Sequence, residues 1–123
     1  MATCQGRKAN QEETVFEKHL LCRDRVRKVP EQFSWVDQRL VRHEHVRRCD
    51  CQGLALYLLL VTVGDADGLS YYSDEKTAAL LGLGGAELAA ARQQLIDADL
   101  IAYRRPLYQV LSLPVLLPRG GAA

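Results

Sequence analysis

Residues 69–113 constrain the fold more than any other part of this 123-residue chain. Ser73, followed by two acidic residues, is typical of a helix start, because a serine hydroxyl can accept a backbone N–H and negative charge suits this end of the helix dipole. Gly82 can adopt the left-handed conformation with which many helices end. The sequence therefore predicts a helix over 74–81, preceded by an edge strand over 69–72.

A second helix and a hairpin are predicted directly after this one. Over residues 85–98 small and apolar side chains recur at helical spacing, so they are expected to face a core; they are Leu88, Ala91, Leu95 and Ala98. Residues 100–103 and 107–113 are rich in apolar and β-branched residues and predict two strands. Arg104, Arg105 and Pro106 lie between them and predict a turn with a basic tip.

Two helices joined by a glycine turn and followed by a hairpin follow the order of a winged helix-turn-helix. The segment QLIDADLI leads from the end of the second helix into the hairpin, and with it the stretch resembles the bacterial winged-helix superfamily. A wider region resembles small winged-helix proteins often found beside mobile elements; it runs from Phe33 to Pro114 and includes FSWVDQRLV, LALYLLLVTVGDADGLSYYSDEKTAALLG and LIAYRRPLYQVLSLP. The resemblance implies a mainly α, α+β fold with a small antiparallel hairpin sheet, but supplies no catalytic residues.

The resemblance implies binding of double-stranded DNA by a small transcription regulator or an accessory factor of a mobile element. The second helix would enter the major groove, where glutamine amides can pair with adenine and alanine methyls can touch thymine. The expected DNA-binding residues are Ala86, Ala90, Arg92, Gln93, Gln94, Arg104 and Arg105. This helix is nearly neutral, so a protein-interaction or dimerisation module, with a homodimer as one form, is an alternative. A thiol- or metal-responsive regulator is a further alternative.

Charge is unevenly distributed along the chain, although its net charge is only +1. Residues 1–50 hold 11 Lys and Arg against 8 Asp and Glu, whereas residues 51–123 hold 5 against 7. Four of the basic residues lie within 23–28, where they would contact phosphate or form a solvated face. We expect a basic, partly disordered arm over 1–32, the winged helix over 33–114 and a flexible tail over 115–123.

A strongly apolar segment follows Asp50 and ends before Gly64, which predicts a central helix. Leu56, Leu59 and Leu60 are expected to be buried in it. The apolar run is too short to span a bilayer, and the N-terminus has no apolar stretch typical of a signal peptide. We therefore expect a cytoplasmic protein with no membrane partner, whose four cysteines are mostly reduced.

Two segments before the central helix are less regular. Residues 14–29 could form a helix that Pro30 would end, although the apolar residues there are only loosely periodic. Phe33 and Trp35 lie in a short aromatic segment that fits either a strand or an entry turn. We expect both aromatic rings to pack against the domain or a partner, with base stacking by Trp35 as the alternative.

The sequence contains one group of metal-competent residues within nine positions: His43, His45, Cys49 and Cys51. Its His-x-His and Cys-x-Cys spacing departs from the two-residue gaps of common zinc sites. Cys51 would also lie in the first turn of the central helix, which makes joint ligation awkward. We therefore expect no metal site and no cofactor.

Catalytic motifs are also missing from the sequence. Residues 82–85 are glycine-rich but lack the Lys-Ser/Thr pair of a phosphate-binding loop. There is no nucleophile elbow, and His43-Glu44-His45 is too tightly spaced for a metalloprotease motif. We do not expect an enzyme.

Overall fold

A computed structural model describes residues 19–115, and the contacts divide the chain between Phe33 and Ser34. In the described part of the first unit the only helical element is a 3₁₀ turn at Arg23–Arg25. The helix considered over 14–29 is therefore not formed over residues 19–29, because the apolar side chains there find no core; residues 14–18 lie outside the described part. Cys22 is disulfide-bonded, whereas Cys49 and Cys51 are free thiols.

In the second unit, the described residues form four α-helices, a 3₁₀ turn and three strands. In chain order they are α1 (Arg39–Arg42), the 3₁₀ turn (His45–Arg48), α2 (Cys51–Val63), β1 (Leu69–Ser70), α3 (Asp74–Leu81), α4 (Gly85–Asp97), β2 (Ile101–Arg104) and β3 (Leu107–Val110). The strands form an antiparallel sheet of order β1-β3-β2. The prediction of a helix-rich α+β chain with a small antiparallel sheet is confirmed.

Helices α3 and α4 form where the sequence predicts them. The Ser73 hydroxyl accepts the backbone N–H of Lys76 at 3.1 Å and thereby caps the start of α3. Gly82 ends this helix in the left-handed conformation with φ 69°, and α4 begins three residues later. The positive φ explains the glycine at position 82, because an added β-carbon there would meet no atom within 4 Å.

Helix α2 begins at the Asp50 carboxylate, which accepts the backbone N–H of Gly53 at 2.9 Å. One of its faces is buried, with Leu56 and Leu60 fully covered as predicted and Tyr57 beside them. Leu59 lies at the border of this face and is less completely covered than Leu56 and Leu60, although it is still largely buried, as predicted. Since the whole segment is apolar, its sequence does not show which side faces the core.

Strands β1 and β3 are shorter than predicted, whereas β2 has the predicted length and begins one residue later in the chain. β1 ends at Ser70, opposite Tyr108, and the chain then turns into the cap of α3. β3 ends at Val110, although the next backbone N–H, of Leu111, still bonds to the Leu100 carbonyl at 3.0 Å. The sheet is therefore small, and one of its faces covers the helices.

The core lies between α2, α4 and the inner face of the sheet. Its buried apolar side chains are Leu40, Leu56, Tyr57, Leu60, Leu88, Ala91, Leu95, Ala98, Leu100, Ile101 and Tyr108. Four of these, Leu88, Ala91, Leu95 and Ala98, are the residues that helical spacing predicts as the inner face of α4. This packing fixes which side of α4 meets solvent.

The aromatic segment before α1 forms no strand. The Ser34 hydroxyl donates to the Thr62 carbonyl of α2 at 3.1 Å, which fixes the backbone there. Even so, Trp35 is 75% exposed and does not pack into the domain, and Phe33 is 64% exposed; packing of these rings against a partner stays a prediction. The backbone is held by a polar contact, and the rings face solvent.

Candidate nucleic-acid interface

The solvent side of α4 carries several of the residues predicted to bind DNA. Leu88, Ala91 and Leu95 are at most 1% exposed and anchor the opposite side. Ala86, Ala90 and Gln93 are exposed, and Ala89 lies beside them. The result is a shallow helix surface of small side chains, which we call the α4 face (Ala86, Ala89, Ala90, Gln93 and Asp97).

Gln93 lies in the middle of this face and is paired along the helix. Its amide nitrogen Nε2 donates to Asp97 Oδ1 at 2.8 Å, one turn further on. This contact fixes the orientation of the amide and uses one of its two N–H donors. None of the five residues that define the α4 face is a cation, so any attraction to a polyanion must come from neighbouring elements.

Gln94 is directed towards α2. Its Oε1 accepts the backbone N–H of Asp50 at 2.8 Å, and it lies so close to Gly53 that a β-carbon there would collide with it. Gln94 thereby joins α4 to the first turn of α2. A two-point contact between Gln94 and an adenine would require this hydrogen bond to break.

Arg92 lies at the edge of the α4 face, and its guanidinium is held by neighbouring side chains. Nη1 lies 3.0 Å from Asp74 Oδ1 and 2.7 Å from the Tyr108 hydroxyl, and the group stacks over Tyr103 at 4.4 Å from the ring centre. The Arg92 side chain is only 14% exposed. The phosphate contact predicted for Arg92 would therefore have to compete with these partners.

Arg104 and Arg105 lie at the end of the hairpin, as the sequence predicts. Arg104 is the last residue of β2, and Arg105 forms the turn with Pro106 through a cis peptide bond. Both side chains are exposed, and neither takes part in an ion pair within residues 19–115. Two adjacent cations are thus available on what we call the hairpin tip (Arg104, Arg105 and Pro106).

The arginines around α1 differ, because most of them have partners. Arg39 forms a close ion pair with Asp37 at 2.7 Å, and its hydrogen bonds lower the pKa of that carboxyl to about 2. Arg47 pairs with Glu44 at 3.0 Å. Arg48 donates to the Ala98 carbonyl at 3.2 Å, just beyond the end of α4. This last contact was not predicted from the sequence, although cations commonly bind the carbonyls at helix ends.

The four metal-competent residues differ from one another in how far they are exposed to solvent. His45 is buried, and burial together with nearby arginines lowers its pKa, whereas His43 is exposed. Cys49 is half-buried, and burial raises the pKa of its thiol, which makes it a weaker nucleophile. Cys51 lies on the exposed side of α2. Within residues 19–115 no three His, Cys, Asp or Glu side chains are grouped to hold a metal ion.

Comparison of the chain with protein-family models, with curated proteins and with solved structures finds no match. The resemblance to winged-helix proteins therefore stays an expectation from the sequence pattern. Among the described residues, no helix is both long enough and apolar enough to cross a membrane.

Proposed function

We propose that this chain binds double-stranded DNA as a winged helix-turn-helix, with α4 in the major groove and the β2–β3 hairpin as its wing. The observation that carries the proposal is the combination of an exposed α4 face with a hairpin tip whose two arginines have no acidic partner within residues 19–115. The order α2-β1-α3-α4-β2-β3 is consistent with this fold.

Within this proposal, the α4 face and the hairpin tip have different roles in DNA binding. Ala86 and Ala90 contact thymine methyl groups, and the Gln93 amide contacts an adenine, so the α4 face selects sequence. Arg104 and Arg105 contact phosphate, which adds affinity without sequence preference. Because these are only two phosphate contacts, binding to random DNA is expected to be weak.

The biological role we propose is that of a small cytoplasmic transcription regulator or an accessory factor of a mobile element. It is supported by the resemblance of residues 33–114 to proteins of that kind.

A second candidate function is protein interaction, including dimerisation. It is favoured by the composition of the α4 face, which holds three alanines and a carboxylate but no cation. Such a surface suits close contact with another helix. The two functions differ in salt dependence, because DNA binding releases counterions and weakens steeply with salt, whereas contact between alanine surfaces does not.

Selection of bound sequences from a random duplex pool at moderate salt tests the proposal. The full chain should enrich a defined motif, and Gln93→Ala should change the preferred base at one or two positions of it. Gln32→Ala is the matched control, since it removes the same amide from an exposed site outside α4. A pool retained no better than without protein would reject DNA binding.

A further inference from the structure

Arg92 joins four separate elements of the fold. The residue lies on α4, its guanidinium bonds to Asp74 at the start of α3, and it contacts Tyr103 of β2 and Tyr108 of β3. The two tyrosines are register partners in the hairpin, with ring centres 4.6 Å apart. The guanidinium therefore lies where the hairpin meets the two helices.

The charge of Arg92 is already compensated at this position. Both carboxylate oxygens of Asp74 accept from it, at 3.0 and 3.4 Å, and the buried Tyr108 hydroxyl accepts a third bond. A planar guanidinium can donate in two directions and stack on an aromatic ring at the same time, which a lysine ammonium cannot do. The site thus depends on the shape of arginine as well as on its charge.

The hairpin tip begins one residue after this contact. Tyr103, under the guanidinium, is followed directly by Arg104, and Tyr108 lies two residues after Pro106. A change in how the two tyrosines pack on α4 therefore changes the direction in which the tip points. Tyr108 itself is fully buried, so it cannot touch a bound duplex.

We propose that Arg92 is a positioning residue, which holds the β2–β3 hairpin against α4 so that Arg104 and Arg105 reach the same duplex as the α4 face. This rests on the proposed DNA binding, and it replaces a direct contact between Arg92 and phosphate. Two consequences follow. Lysine does not substitute for Arg92, and the effect of Arg92 on DNA affinity passes through the hairpin tip.

A double-mutant cycle tests the proposal. The affinity of the full chain for its selected duplex is measured for Arg92→Lys, Arg92→Gln and Tyr108→Phe, each alone and combined with Arg104→Ala/Arg105→Ala. Arg47→Gln serves as the control, since it removes one charge from an exposed ion pair. Far-UV circular dichroism verifies folding, and Tyr108→Phe, which deletes a single hydroxyl, provides a mild variant if those at Arg92 unfold.

We expect Arg92→Lys, Arg92→Gln and Tyr108→Phe each to weaken binding by about tenfold in the wild-type background and not at all once Arg104 and Arg105 are removed. Arg47→Gln should leave affinity unchanged. Positioning is rejected if Arg92→Lys binds like the wild type while Arg92→Gln binds less tightly by the same factor in both backgrounds. That result would make Arg92 a direct phosphate contact.

Amide hydrogen exchange without DNA separates this proposal from the proposed function. Arg92→Lys and Tyr108→Phe should speed exchange in β2 and β3 by about tenfold relative to α2. If the wild-type chain binds no duplex, the proposed DNA binding is rejected, and faster exchange in the hairpin would still show that Arg92 holds the hairpin against α4. Unchanged hairpin exchange in both variants would overturn it whatever the DNA results.

Discussion

Helices α2 and α4 have the same length, 13 residues, and differ in what surrounds them. Helix α2 is apolar on almost every side, and its exposed side still carries Leu58, which is 62% exposed. Helix α4 buries one side as completely as α2 does, but its other side consists of small and polar residues. Helix α2 therefore supplies core, whereas α4 supplies both core and an accessible surface.

The difference shows how a helix can be placed firmly and still be free to bind. Leu88 and Leu95 fix the rotation of α4, and two polar contacts near its C-terminal end fix its position. Gln94 joins it to the start of α2, and Arg48 bonds to the carbonyl just after its last turn. The outer side of α4 makes no contribution to the core, so core packing does not restrict which residues lie there and they are available to contact a ligand.

The largest expected effect concerns the two sides of α2. Leu60→Ala should lower the free energy of unfolding by about 2–5 kcal/mol, because it opens a cavity at a fully buried position. Leu58→Ala on the same helix should change it by less than about 0.5 kcal/mol. Denaturant unfolding measures both. Equal effects of the two substitutions would show that the buried side of α2 is assigned wrongly.

The next effect concerns His45, which lies in the 3₁₀ turn that leads into α2. Its folded pKa is below 6.5 because of burial and of nearby cations, so the unfolded chain binds a proton first as the pH falls. Stability should therefore be full above about pH 6.5 and decrease below it, by up to about 1.4 kcal/mol for each pH unit. The charged and titratable groups acting on it are Arg48, His43, Arg39 and Asp37.

Thermal unfolding between pH 7.5 and 5 tests this dependence. His45→Gln should remove most of the loss of stability, whereas His43→Gln, at an exposed position, should retain it. An identical pH profile for the wild type and His45→Gln would refute the assignment to His45.

A smaller effect tests the contact between α2 and α4 itself. Gly53→Ala gains about 1 kcal/mol of helix propensity but pushes Gln94 away from the Asp50 N–H, so the two changes should nearly cancel. In a Gln94→Ala background the same substitution should stabilise the protein by about 1 kcal/mol. Gly85→Ala, whose β-carbon would meet no atom within 4 Å, should be insensitive to Gln94. Equal effects of Gly53→Ala in both backgrounds would contradict the contact.

The sequence was sufficient to predict the faces of α4 but not those of α2. In α4 small and apolar residues alternate with polar ones at helical spacing, and the four predicted inner residues are buried. In α2 almost every position is apolar, so periodicity carries no information on rotation and does not separate the buried Leu60 from the exposed Leu58. Helix caps and turns could also be predicted from the sequence, because Ser73, Asp50 and Gly82 act on residues close to them in the chain.

The contacts that shape the candidate site could not be predicted from the sequence. Arg92 and Asp74 are 18 residues apart, Gln94 and Asp50 are 44 apart, and Arg48 and Ala98 are 50 apart. Such pairs form only once the helices pack, and local spacing does not reveal them. Exposed residues that depend on no distant partner, such as Gln93 and Arg105, were placed correctly on the surface.

We propose that the α4 face and the hairpin tip bind the same DNA duplex. The most direct measurement is fluorescence anisotropy of a selected and a random labelled duplex over a series of salt concentrations. Arg104→Ala/Arg105→Ala should weaken binding to both duplexes by a similar factor and reduce the salt slope by about two, since each phosphate contact releases nearly one counterion.

Arg42→Ala/Arg47→Ala removes the same charge from side chains already bonded to Gln38 and Glu44, and should leave the slope unchanged. Only the hairpin variant is expected to show a lower salt slope. Unchanged affinity and salt slope for the hairpin variant would contradict the proposed contact between the hairpin tip and DNA phosphates. Failure of the wild-type chain to bind either duplex would contradict DNA binding and favour the protein-interaction function.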